Sequence, residues 1–592
     1  MHWKTHLFLI TLVGLFLACK PSTPPNIILI VTDDQGWGDV GFHGNEIVKT
    51  PQLDAFAKNA VELTNYHSGT TCTPTRAAIM TGRNSNRNGA WHTIAGASIL
   101  NADEQTIAEV FQQNGYRTGM IGKWHLGDNY PYRPQDRGFE ETFYLGGGGV
   151  QQTPDYWNND YFDDTYFRNG VPEKTKGYCT DVWFDEALKF IGGADEKPFF
   201  LYLATNAAHG PFNVPPAYRE MYADSELNSK QKNFYGMLTN LDDNFGKLEK
   251  YLKDNKLLDN TILIYTTDNG TAGGIGYNRK LEKTVGFNPL RGTKGSHYDG
   301  GHRVPFLIHW PAGGLTGGQK VDELTASVDL LPTLSSLAGI PLSLDRPLDG
   351  ADVSPVLTGQ KTTPTRMLVV DTQRNQWPEK YRNPCVMDGP WRLVNHKELY
   401  NIEEDPKQQN DLANQHPDRV KDMQNFYDKW WASTVDDWEH SAIYLGAAEN
   451  PTTITIHDMH PDSTGAIPWN QNQVRMGKIS TPGYYEINVA EAGRYQFELA
   501  RWPFEAGLKL NSTVEAIPDL PHREGLSAGN RVVLTSSQVM LAGTQQSVEI
   551  QPDAPHASME IEVPAGKTQL RASFLTQKNE HFPAYYIRVT KL

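Results

Sequence analysis

Four short apolar runs constrain this chain more than any other feature: Asn26–Thr32, Thr118–Gly122, Phe199–Ala204 and Thr261–Thr266. They are rich in β-branched and aromatic residues and barely interrupted by polar ones, as expected of strands buried on both faces of a largely parallel sheet. Amphipathic stretches at Glu104–Asn114 and Gln231–Asn255 read as covering helices. The alternation predicts an α/β sheet with helices on both faces. Each run is followed at once by residues with chemical potential: Asp33-Asp34, Lys123-Trp124-His125, Asn206-Ala207-Ala208-His209 and Asp268-Asn269. Sites in open α/β sheets form beyond the carboxyl ends of strands, so the pattern gathers four distant segments onto one edge.

At 592 residues the chain is long enough for two or three domains. The α/β texture runs over residues 26–366. A smaller unit at 367–436 follows, with strands expected at Met367–Asp371 and Trp391–Asn395 and a helix over His416–Trp431. From 437 to 592 the texture is all-β. Tyr495, Phe497 and Leu499 alternate with polar residues, as do Tyr585, Ile587 and Val589, which suggests an accessory β-sandwich. The N-terminus reads as an export signal over residues 1–18, with Lys4 before an apolar Leu7–Ala18 run too short to span a bilayer. Phe16-Leu17-Ala18-Cys19 resembles a relaxed bacterial lipobox, with Phe where Leu is usual. It makes Cys19 the expected lipidation site, residues 19–25 a linker, and the location periplasmic or outer-membrane anchored, with that lipid as the only membrane contact.

Cys72-Thr73-Pro74-Thr75-Arg76 leads into Ala77-Ala78-Ile79-Met80 and closes on Thr81-Gly82-Arg83. Pro74 suits a first helical turn and Gly82 a helix end, which puts Cys72 at a helix N-terminus, where free N–H groups favour negative charge. A lone Cys in such a place is most often a buried thiol. Asp33-Asp34 by itself suits a turn or a helix cap as well as a metal, and a Lys-x-His such as Lys123-Trp124-His125 is weak alone. If extended, it points both side chains to one side. Carboxylate and amide oxygens at two strand ends together suit a hard divalent cation.

The cysteine segment resembles the sulfatase signature, C-x-[PS]-[ST]-R followed by T-G-R. Asp33-Asp34, Lys123-x-His125, His209, Leu290-Arg291-Gly292-Thr293-Lys294-Gly295 and Asp268-Asn269 are similar to further motifs of that family, in the family's order. The resemblance spans residues 26–436. It implies the formylglycine-dependent type within the alkaline phosphatase-like superfamily: a central mostly parallel sheet, then a small α+β subdomain. It also implies that Cys72 is oxidised to formylglycine by a formylglycine-generating or an anaerobic sulfatase-maturating enzyme. One Ca²⁺ is implied at Asp33, Asp34, Asp268, Asn269 and the modified Cys72. Arg76 would orient residue 72, Lys123 and Lys294 would bind the sulfate, His209 would protonate the leaving alcohol, and His125 would release the product.

A net charge of −15 argues against bulk nucleic-acid binding, and an anionic substrate then needs basic groups concentrated in one pocket. Arg76, Lys123, His125, His209 and Lys294 supply them. Export and an added β-rich domain fit a sulfated polysaccharide or oligosaccharide as substrate. The alternatives are a phosphomonoester or phosphonate hydrolase on the same fold, and a noncatalytic carbohydrate-binding lipoprotein. Cys179 and Cys385 remain, either bridged or free. Gly146–Gly149 reads as a flexible loop bordering the cleft. Trp430, Trp431, Trp438, Trp469 and Trp502 are candidate sugar platforms or core residues.

Overall fold

The computed structural model describes residues 23–193, 196–273, 275, 290–360, 366–463, 467–478 and 482–592. The export signal and Cys19 lie outside the described residues.

A ten-stranded sheet organises the first part. In chain order its strands are β1 (Asn26–Thr32), β2 (Val61–Leu63), β3 (Arg117–Lys123), β4 (Glu141–Leu145), β5 (Thr165–Arg168), β6 (Val171–Lys174), β7 (Phe199–Ala204), β8 (Thr261–Thr267), β9 (Phe306–His309) and β10 (Lys320–Val321). They lie in the order β10-β2-β9-β8-β1-β7-β3-β4-β5-β6. From β8 to β4 every neighbouring pair is parallel. Antiparallel pairs flank this parallel centre, at β8–β9 and β4–β5. The four strands expected from sequence are therefore adjacent and point one way, and their carboxyl ends share one edge.

At its parallel centre the sheet is buried on both faces. Ile28 and Ile30 of β1 enter one apolar cluster, while Ile27, Leu29 and Val31 enter another on the opposite face. This two-residue alternation is why an unbroken apolar run was needed. Among the helices, α1 (Cys72–Thr81) is buried along its whole length and ends at Gly82 with φ 66°. The helix expected from Glu104 starts later, as α2 (Ile107–Gln113), because Thr106 caps it in a reciprocal box with Glu109. The long helix α3 (Ser229–Asp254) opens on a similar box between Asn228 and Gln231.

A four-stranded antiparallel sheet follows, β11 (Met367–Val370), β12 (Cys385–Asp388), β13 (Trp391–Val394) and β14 (Glu398–Asn401). Val386, Leu393 and Leu399 of this sheet pack on Met423, Tyr427 and Trp431 of α4 (Pro417–Ala432). Beyond it two mostly antiparallel sheets face each other. One is built on Gly483–Val489, Leu534–Leu541 and Gly566–Thr576, the other on Gly493–Ala500, Ala557–Val563 and Tyr586–Lys591. Tyr485, Ile487, Val539 and Leu570 from the first share one core with Tyr495, Phe497, Ile561 and Ile587 from the second.

That core also takes in Ala95, Ile99 and Tyr132 of the first part, so the sandwich is docked and not merely tethered. Main-chain bonds cross the seam from Ala95 N to His457 O (2.8 Å), from Thr153 N to Trp469 O (3.0 Å) and from Gln471 N to Gln151 O (2.8 Å). Cys179 and Cys385 are both free and buried; the Cys179 thiol donates to Asn206 Oδ1 at 3.1 Å. Trp431 and Trp502 are core residues. Among the described residues no helix is long and apolar enough to cross a membrane.

Candidate active site

The shared strand edge and the N-terminus of α1 meet in one buried cluster. Asp33 and Asp34 follow β1, Asp268 and Asn269 follow β8, Lys123 ends β3, and His209 lies on the loop after β7. Backbone bonds hold these ends together. Asp33 N donates to Ala207 O at 2.9 Å, Ala208 N to Asp33 O at 2.6 Å, and Asp268 N to Thr32 O at 3.1 Å. The 290–295 loop joins them through Lys294 N to Thr271 O (3.0 Å) and Gly295 N to Thr70 O (2.7 Å), next to the helix start. Asp34 takes a left-handed φ of 59°, as His125 does at 61°. Such backbone costs a non-glycine residue roughly 1–2 kcal/mol and persists only where the surroundings enforce it.

The charges interlock. The Cys72 thiol is 3.5 Å from Asp33 Oδ1. Lys123 Nζ lies 2.7 Å from Asp33 Oδ2 and 3.9 Å from Asp268 Oδ2. Lys294 Nζ lies 2.7 Å from Asp34 Oδ1, and His209 Nε2 lies 4.0 Å from Asp34 Oδ2. Arg76 sits one helical turn after Cys72 in α1, and its guanidinium turns to the neighbouring strand ends. Its fork grips Asp268 Oδ2 through Nε (3.1 Å) and Nη2 (2.8 Å), and Nη1 donates to Lys123 O (2.9 Å) and Tyr202 OH (3.3 Å). A planar guanidinium matches a carboxylate better than a thiol, so Arg76 fixes the acid and the lysine strand end together.

Asp33, Asp34, Asp268 and Cys72 each offer a ligand atom, all within 4.8 Å of one another. Asn269 donates to Asp34 Oδ1 at 2.8 Å, and its buried carboxamide oxygen has no partner. Burial, then the neighbouring Asp268, pushes the Asp33 carboxyl up to about 8, whereas at Asp34 burial is outweighed by Lys294, His209 and Lys123 acting together, which hold it below the ordinary carboxylate range. At Asp268, Arg76 and Lys123 likewise outweigh burial and lower it. Three buried acids of which one resists ionisation, with an orphan amide oxygen beside them, fit a hard divalent cation, whose charge would ionise the third. Burial pushes the Cys72 thiol up to about 12, so it is no thiolate as it stands.

The two histidines have fixed tautomers, because a carbonyl can only accept. His125 Nε2–H donates to Thr93 O at 2.9 Å, leaving Nδ1 buried with a free lone pair. His209 Nδ1–H donates to Gly210 O at 2.6 Å, leaving Nε2 towards Asp34. Burial, reinforced by Lys123, drives the His125 pKa well down; burial, then Lys294, pushes His209 down to about 3. The extended Lys-x-His expected from sequence stops at Lys123, since His125 turns to positive φ. Thr73 Oγ1, donating to His125 O at 3.2 Å, ties that turn to the residue after Cys72.

The glycine loop lies against both histidines. A β-carbon on Gly148 would stand 2.1 Å from the His125 ring, and one on Gly149 would stand 3.2 Å from His209 Nδ1. Gly147 N to Asp128 Oδ1 and Gly148 N to Gln152 Oε1, both 2.8 Å, hold the loop there. Sequence reasoning missed Tyr202, Tyr161 (whose hydroxyl donates to His209 O at 2.6 Å) and the Thr93 carbonyl. A tyrosine inside the apolar β7 run was the available signal for Tyr202, since a buried phenol needs a partner. A backbone carbonyl gives none.

A family model described as Sulfatase matches residues 25–340. Arylsulfatase G of Mus musculus is 33% identical over 401 residues, covering 61% of this chain and 74% of the mouse protein. N-acetylgalactosamine-6-sulfatase of Homo sapiens is 33% identical over 356 residues, covering 56% of this chain and 66% of the human protein. The crystal structure of Ps i-CgsB in complex with k-i-k-neocarrahexaose superposes with a TM-score of 0.62 at 29% identity, covering 71% of this chain and 95% of the other. The matched residues include the whole buried cluster, and the chain belongs to the sulfatase family as a sulfuric ester hydrolase.

Proposed function

We propose that the chain hydrolyses sulfate esters of a sulfated glycan, using a formylglycine made from Cys72 and one Ca²⁺ held by Asp33, Asp34, Asp268, Asn269 and residue 72. The single observation that carries this is the burial of Cys72 at the head of α1 among three acids and two lysines, a place where a thiol with its pKa near 12 has no nucleophilic use. A hydrated aldehyde at that carbon supplies two hydroxyls, one to attack sulfur and one to expel sulfate. A bound divalent cation makes a neighbouring hydroxyl more acidic and offsets negative charge.

The chain's own groups do the rest. Lys123 Nζ and Lys294 Nζ meet the sulfuryl oxygens on which charge develops, which is the largest electrostatic contribution available in a dry site. As the S–O bond to the sugar breaks, His209 Nε2 delivers a proton to the departing oxygen. A neutral His209 suits the resting site. Burial and then Lys294 depress its pKa, and an anionic ester opposite Lys294 offsets the second and favours a proton on Nε2. His125 Nδ1, free and unprotonated, then accepts a proton from the remaining hydroxyl as sulfate leaves. The backbone of Gly148 and Gly149 packs against both rings and keeps them in place.

The glycan reading is supported by two similar proteins: Ps i-CgsB was crystallised with a neocarrahexaose, and the human relative is named for a sulfated N-acetylgalactosamine. Lys4, the Leu7–Ala18 run and Cys19 support export, with lipid anchoring in the periplasm or at the outer membrane. Mass spectrometry of the Cys72 peptide from the native host, paired with turnover of aryl sulfate, phosphate and phosphonate esters, tests the whole assignment. Formylglycine and preferred sulfate turnover are expected. An unmodified thiol in a chain without sulfate ester turnover would overturn it.

A further inference from the structure

The loop between β11 and β12 is fastened to the catalytic edge. Thr70 Oγ1 donates to Asp371 O at 3.1 Å and lies 2.9 Å from Thr372 Oγ1, which also bonds Gly295 O at 3.2 Å. Thr70 stands two residues before Cys72, and Gly295 follows Lys294. Asn86 Nδ2 holds Asp371 Oδ2 at 2.8 Å, and Trp91 Nε1 holds Asn375 O at 3.2 Å. Residues 371–375 thus form part of the site's rim, although they come from a different sheet.

Arg374 is the exposed residue of this clamped segment. Its Nη2 lies 4.0 Å from where a Gly295 β-carbon would stand, and among the described residues it has no hydrogen bond or ion pair. The acids of its own loop are engaged elsewhere. Asp371 accepts from Asn86 and Gln373, and Glu379 accepts from Asn375 and lies 3.9 Å from Arg382. Lys123 and Lys294, paired with Asp33 and Asp34, serve the ester that is cleaved, and Arg76 holds Asp268. Among the described residues Arg374 is therefore an uncommitted cation beside a site for an anionic ester, in a chain of net charge −15. Its charge reaches inward to His92, which burial and then Arg374 push down to about 3. Three residues on, Trp377 is 45% exposed, with its ring 3.9 Å from His440 and 5.9 Å from Trp91.

We propose that Arg374, with Trp377 beside it, forms a subsite for a second anionic group of the glycan, a sulfate ester or a uronate carboxylate on the same chain as the ester that is cleaved. The inference rests on the glycan reading above. A guanidinium fork takes either oxyanion through two parallel hydrogen bonds, and an indole face packs against the C–H side of a sugar. The substrate class narrows to multiply anionic oligosaccharides.

Binding measured on the full Cys72→Ala chain tests this without relying on turnover. Calorimetry would compare R374A, R374K and W377A in that background, with oligosaccharides carrying one sulfate, two sulfates, or one sulfate and one uronate. R374A is expected to weaken both doubly anionic ligands about tenfold and the monosulfate by less than about threefold, one charge-assisted hydrogen bond being worth roughly that factor. R374K should recover part of the loss, and added salt should erase the difference. Equal weakening of all three ligands, or none, overturns the subsite. Loss with only one of the two anions assigns the group it reads. Failure of the parent reading would appear separately, as absence of sulfate release from these oligosaccharides by the matured chain with Cys72 intact.

Discussion

Each side chain in the cluster does two jobs, so single substitutions separate chemistry from scaffold. His209→Ala removes the proposed proton donor and keeps the backbone carbonyl that Tyr161 bonds. It should lower kcat by about 10²–10⁴ with a sugar sulfate, whose alkoxide needs a proton, and far less with a nitrophenyl sulfate, whose leaving group does not; parallel assays of the two esters check this. Arg76→Ala acts differently. It leaves Asp268 buried without its guanidinium fork, with only the more distant Lys123 as counter-charge; loss of a buried partner typically costs about 3–5 kcal/mol, and denaturant titration should register that loss whether or not residue 72 is modified. The acids, lysines and histidines were legible because strand ends concentrate function and the motifs keep their order. Arg76 was legible as a site residue, but its partner was not, since a sequence does not say that its fork would choose Asp268. Arg374 was invisible for the same reason: its meaning lies in a loop from one sheet pinned to the edge of another.

Among the elements, the strands were the easiest to read and the loops the hardest. Buried parallel strands need unbroken apolar runs, and β1 and β7 occupy the predicted residues. The start of α2 moved to Ile107 because a cap, not hydrophobic periodicity, decides where a helix begins. The glycine loop read as flexible, since glycine signals freedom and close approach alike. Here it signals close approach, with both histidine rings against its backbone. Gly148→Ala would push the His125 ring off the Thr93 carbonyl. A displacement of about 1 Å at a reacting group costs on the order of 10²-fold in rate. Turnover should fall by that order while far-UV circular dichroism stays native; an unchanged kcat would show that the ring position does not matter.

In the whole molecule, the seam between the sandwich and the first part carries its own pH sensitivity. His440 and His460 lie with rings 4.2 Å apart, and burial holds them down to about 4 and about 3. They are neutral in the folded chain, whereas the unfolded chain takes up protons below about pH 6.5. Stability from this pair is therefore complete above that pH and is lost progressively as pH falls towards 4. The wild-type Tm should drop between pH 7.5 and 5, on the order of 1–3 kcal/mol in stability, and the H440N/H460Q double variant should show a flatter profile. The all-β texture of residues 437–592 was legible from its alternating strands. Its docking was not, because Ala95, Ile99 and Tyr132 look like ordinary apolar residues of another unit. That docking has a thermal consequence. Ala95 N bonds His457 O across the seam, and two residues earlier Thr93 supplies the carbonyl that sets the His125 tautomer. Warming that loosens the sandwich by a local opening frees this carbonyl before the central sheet melts. Catalysis should fail several degrees below the melting temperature and return on cooling, so that heat switches the enzyme off before it destroys it.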